Sequence, residues 1–72
     1  MRNLILAYER GHHRINVMKK ALESLGQPVI VATDNFDNIK GPFDRIWTLS
    51  ESLLPVQAQL ELKWGINNLS VS

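Results

Sequence analysis

The chain has 72 residues, with 8 basic and 7 acidic side chains, two histidines and no cysteine. A length like that holds one domain at most and buries only about 60% of its unfolded surface. The missing cysteines exclude a disulfide framework and any thiolate metal or redox site. A net charge of +1 lacks the basic stripe of a general nucleic-acid binder. The longest apolar runs, "LILAY" and "VIVA", fall far short of the roughly 20 residues that span a bilayer, and no signal-peptide pattern opens the chain, so no membrane partner and a cytoplasmic setting are expected.

Leu4 to Tyr8 is a continuous apolar run ending at the polar "ERGHH", the pattern of a strand buried on both faces. From His13 to Leu25 the residues Ile15, Met18, Leu22 and Leu25 recur at helical spacing, with Val17 and Ala21 widening the stripe and Gly26 and Pro28 as the stop. Val29 to Asp34, "VIVATD", reads as a second strand. Strand, helix and strand in so short a span predict a parallel, right-handed crossover. "NFDNIKGPF" is expected to be an irregular connection with one helical turn, packing through Phe36, Ile39 and Phe43. Its acids are spaced wrongly for a calcium loop. Arg45 to Leu49 is the third strand, with Trp47, like Trp64 further on, expected in the core.

The segment Pro55 to Trp64, "PVQAQLELKW", alternates apolar and polar residues like a surface strand, yet Ala, Gln, Leu, Glu and Lys are strong helix formers. Ser52 as a cap, Pro55 in the first turn and Gly65 as a stop decide for a helix over Leu53 to Trp64. At about 100° per residue, Val56, Leu60 and Trp64 fall on one side, and Leu54, Ala58 and Leu62 nearly opposite. Such a helix needs cover on two sides, as do the strands. The expected fold is therefore α/β: a small three-stranded parallel sheet of order 2-1-3 flanked by two main helices, a Rossmann- or flavodoxin-like half domain whose cover is completed by something further.

A first strand followed by "ERGHHRINVMKKALESLG", "PVIVATD" and "RIWTLSESLLPVQAQLELKWGINNLS" resembles the N-terminal, or pre-ATP-grasp, domain of ATP-grasp ligases. The match is best at the end, where a strand leads to Glu51, to a helix containing Ala58 and Leu60, and to "WGINNLS", similar to the "LGIPGLS" that precedes the nucleotide-binding domain in many members. Asn67 and Asn68 depart from the usual Pro and Gly. The resemblance covers nearly the whole chain. It implies a fragment of a longer ligase, in which ATP and magnesium drive a carboxylate through an acylphosphate to attack by an amine or other nucleophile. The lysine and magnesium-binding acids of such enzymes would lie outside this chain. None of this chain's residues is then expected to be catalytic, and none to bind a cofactor alone.

In an open parallel sheet, ligands bind beyond the carboxyl ends of the strands where the strand order reverses. For order 2-1-3 that crevice lies between "LILAY" and "RIWTL". It is rimmed by Tyr8, Glu9, Arg10, Gly11, His12 and His13 on one side and by Ser50 and Glu51 on the other, with Asp34 closing it from the second strand. The substrate-binding candidates are Glu9, Arg10, Gly11, His12, His13 and Glu51. Glu9 ranks first because related ligases hold a substrate amine with a first-loop Glu, although it also fits a solvated loop charge. Glu51 matches the family's Glu after the third strand or a favourable charge at its helix start. Gly11 suits an anion's approach to free N–H groups or simply a turn, and a lone glycine does not make a dinucleotide fingerprint. Arg10, Arg14 and the two histidines would draw anions to the same helix start. Adjacent His12 and His13 diverge on a regular backbone, so no metal site is expected.

Two expectations follow. One is a substrate-side ligase domain taking a small carboxylate or amine and partnered by an ATP-grasp domain. The other is a stand-alone α/β module that pairs with a second copy of itself.

Overall fold

A computed structural model describes residues 1–9 and 12–66. Its elements, in chain order, are β1 (Asn3–Leu6), α1 (His13–Ser24), β2 (Val29–Ala32), a 3-10 turn (Phe36–Asn38), β3 (Arg45–Thr48), a second 3-10 turn (Glu51–Leu53) and α2 (Leu54–Trp64). All pairing is parallel, in order β2-β1-β3, with Leu4 opposite Ile30 and Ile46, and Ile5 opposite Val31 and Trp47. This is the predicted α/β arrangement. The strands are shorter than the apolar runs, since Tyr8, Asp34 and Leu49 already lie beyond the ladder.

β1 is the centre of the molecule because both its neighbours and both layers cover it: Asn3 through Ala7 are all buried. Its side chains alternate between two cores. Leu4 and Leu6 join Phe43, Ile46, Leu53 and Leu60 under α2, with Val56 and Trp64 at the margin. Ile5 and Ala7 join Ile15 under α1, flanked by Met18, Val31 and Trp47. Both tryptophans are thus half-buried wall residues rather than core centres.

α1 buries a narrower stripe than its sequence implies. Ile15 and Leu22 are buried, but Val17 and Leu25 are 54% and 71% exposed. Val17 lies some 200° around the helix from Ile15, and Leu25 falls past the last turn, where Gly26 reverses the chain at φ 75°.

α2 is helical despite its alternation. Leu60 is buried and Val56 and Trp64 half-buried, while Leu54 and Leu62 are 52% and 86% exposed, so the period of two is the mark of a helix apolar on opposite sides with one side covered. Gly65, at φ 66°, returns its N–H to Glu61 O, as does Ile66 at 2.9 Å, which closes the helix. Ser52 is not the cap. Helical geometry is already under way in the Glu51–Leu53 turn, so Leu53 precedes α2 without a side-chain cap and the Ser52 hydroxyl goes elsewhere. The connection after β2 holds its one turn, entered by Asn35 at φ 50°, with Phe43 buried and Phe36 and Ile39 half-buried.

Candidate functional site

Two backbone bonds continue the ladder past the strands and fix the loops at the carboxyl end: Ala7 N–H to Ala32 O at 3.1 Å and Leu49 N–H to Leu6 O at 3.0 Å. They place Tyr8 between the ends of β2 and β3. The next residue on the α2 side after Leu4 and Leu6 is Tyr8, whose hydroxyl meets Ser52 Oγ at 2.9 Å. Ser52 Oγ in turn meets Ser50 Oγ at 3.1 Å. The Tyr8 ring stands edge-on to Phe36, with centroids 6.4 Å apart. One exposed side chain therefore touches both other loops of this end, across the crevice where the strand order reverses.

The remaining candidates fall around this bridge. Glu9 is exposed and its carbonyl accepts the His12 N–H at 3.4 Å. Glu51 is exposed at the first position of the 3-10 turn between Ser50 and Ser52. Glu9, Glu51 and Asp34 form no ion pair among the described residues. His12 is the N-cap of α1, and its Nδ1 accepts the Arg14 N–H at 3.1 Å while its carbonyl takes the Ile15 N–H at 3.0 Å. Two of the N–H groups that an anion would need at this helix start are therefore occupied. His13 is exposed in the first turn. Arg10 and Gly11 lie outside the described residues, as do Asn67 to Ser70 of the "WGINNLS" motif.

The arrangement offers hydroxyls, carboxylates and an aromatic face, and it is suited to binding. Among the described residues neither histidine is bonded to a carboxylate or hydroxyl, so no nucleophile–base pair is assembled. No three His, Asp or Glu side chains of those residues converge as a metal would need. No described helix is long and apolar enough to cross a membrane. Sequence reading named Tyr8 and Ser50 as rim residues but gave Ser52 the wrong task. Its partner lies 44 residues away, and only the strand order brings the two together.

Comparisons with protein-family models, with curated proteins and with solved structures find no match to this chain.

Proposed function

We propose that this chain is the substrate-side α/β domain of an ATP-grasp-type carboxylate–amine ligase of the cytoplasm, which positions a small carboxylate or amine and is not catalytic alone. The observation that carries the reading is the rim itself. The Glu9 loop and the Glu51 turn, the two places where the resemblance puts substrate contacts, share the carboxyl end of a parallel 2-1-3 sheet and are bridged by Tyr8 and Ser52. Its carboxylates, which form no ion pair among the described residues, suit a cationic group such as an amine. The resemblance assigns ATP and its magnesium to an ATP-grasp domain supplied by the rest of the ligase.

The coding sequence downstream of Ser72 tests this. Roughly two hundred further residues with a glycine-rich loop and magnesium-binding acids are expected. A stop codon at that point sinks the proposal.

A second reading, the self-associating module, is favoured by one observation: Leu54 and Leu62 stand exposed on α2 beside Ala58. Sedimentation over a range of concentrations decides it. Association that the Leu62→Glu variant abolishes supports pairing through this face, and a monomer at every concentration ends it.

A further inference from the structure

We infer that a hollow beside β2 is a binding site for a small zwitterion with an apolar body, of the kind an apolar α-amino acid presents. This goes beyond the proposed function and stands without it. The connection from β2 to β3 contains a single 3-10 turn where a longer helix would cover the sheet, so Ile30 on the α2 side of β2 remains 50% exposed. The result is a hollow of about 300 Å³, at the lower end of the size range of small-molecule pockets. Its floor is apolar, built from Ile30, Ala32, Ile39 and Phe43, and Phe43 is itself buried.

The rim is polar and unspent. Asp34 stands just past the end of β2 and Lys40 follows Ile39, both lining the hollow and both exposed. Asn35 and Asn38 lie between them. Among the described residues, none of these four side chains makes a hydrogen bond or an ion pair. An apolar floor with one free carboxylate and one free ammonium on its rim is complementary to a ligand that carries an ammonium, a carboxylate and an apolar side chain. A purely apolar ligand would leave both charges unused. A singly charged one would meet its own sign on the other side.

The test is backbone amide NMR on the full 72-residue chain with three probes of one shape: L-leucine, 4-methylpentanoate, which lacks the ammonium, and 3-methylbutylamine, which lacks the carboxylate. Saturable shifts confined to residues 30–35 and 38–43 are expected with leucine, in the millimolar range. Each singly charged analogue should bind roughly fivefold to tenfold more weakly. Asp34→Asn should bring leucine down to the level of 4-methylpentanoate, and Lys40→Met to that of the amine. Both positions are exposed, so neither change threatens folding. Equal binding of all three probes, or no saturation by leucine, overturns the inference. Leucine shifts centred on Tyr8, Glu9 and residues 50–53 also overturn it, and they would instead favour the carboxyl-end crevice of the proposed function.

Discussion

The two ends of the sheet are built to opposite rules. At the amino end, Asn3 is fully buried and uses its whole amide: Nδ2 donates to Gln27 Oε1 at 3.0 Å and lies 3.3 Å from Pro28 O, while Oδ1 accepts the Trp47 indole N–H at 3.2 Å. Around it, the Arg2 guanidinium donates to Pro42 O at 2.8 Å and lies 4.7 Å from the Phe43 ring centroid, and the Arg2 N–H donates to Asp44 at 2.7 Å. At the carboxyl end Tyr8, Glu9, Asp34, Glu51 and Ser52 are exposed, and the three carboxylates have no ionic partner among the described residues. One end spends its polar groups on holding three strands in register, and the other leaves most of its own facing solvent. Substitutions at the amino end should therefore cost stability, and those at the carboxyl end should cost little.

The largest effect is expected for Asn3→Leu. It leaves the Trp47 indole N–H and Gln27 Oε1 without their partner in a half-buried place, which costs about 2–3 kcal/mol. For a chain of this size that lowers the melting temperature by more than about 10 °C. Thermal unfolding followed by Trp fluorescence measures it. A loss below about 0.5 kcal/mol would show that Asn3 does not hold the strands.

Next is Gly41→Ala. A Cβ at position 41 would collide with the Trp64 indole, which packs against Phe43 with ring centroids 5.5 Å apart. Trp64 ends α2 and packs at the margin of the larger core, so pushing it aside is expected to cost about 2 kcal/mol. If urea unfolding leaves the midpoint unchanged, the amino end is looser than its contacts imply.

How far these features were legible in the sequence follows from which of them are local. Periodicity, β-branching and the Gly and Pro stops are properties of neighbouring residues, and they gave the strands, α1, and the helical state of Pro55 to Trp64, while the order 2-1-3 came from the α/β fold type they imply. Position alone also gave the two opposite apolar sides of α2, but not which of them the sheet covers: Leu60 is buried, and Leu54 and Leu62 are exposed. Asn3 was missed because nothing near it distinguishes a buried hub from an ordinary polar residue before a strand, and its partners Gln27 and Trp47 are 24 and 44 positions away. Ser52 was misassigned for the same reason. The hollow over β2 was invisible too, because it depends on how little of the sheet the connection covers and not on any motif.

At the carboxyl end, His12→Ala should lose the side-chain cap on the Arg14 N–H and cost about 1 kcal/mol, while His12→Asn should recover most of it. Chemical denaturation of the three proteins checks the order. If Ala and Asn are equally destabilised, the Nδ1 bond contributes nothing to α1.

The smallest effect, and the one most specific to the rim, is expected for Tyr8→Phe. The ring and its edge-on contact with Phe36 remain, and only the bond to Ser52 Oγ is removed. Tyr8 is 55% exposed, so water replaces the lost partner on both sides and the stability change should stay near or below about 0.5 kcal/mol. What should change is local: Ser52 loses one of its two hydroxyl partners and keeps Ser50, so the turn from Glu51 to Leu53 should exchange its amide protons severalfold faster while the amides of β1 are unaffected. Native-state hydrogen exchange on wild type and Tyr8→Phe measures both. A loss of global stability comparable to that of Asn3→Leu would mean that the carboxyl end is as much a structural clamp as the amino end, and the division between the two ends would fail. Unchanged exchange at Leu53 would mean that the hydroxyl bridge does not hold the two loops together.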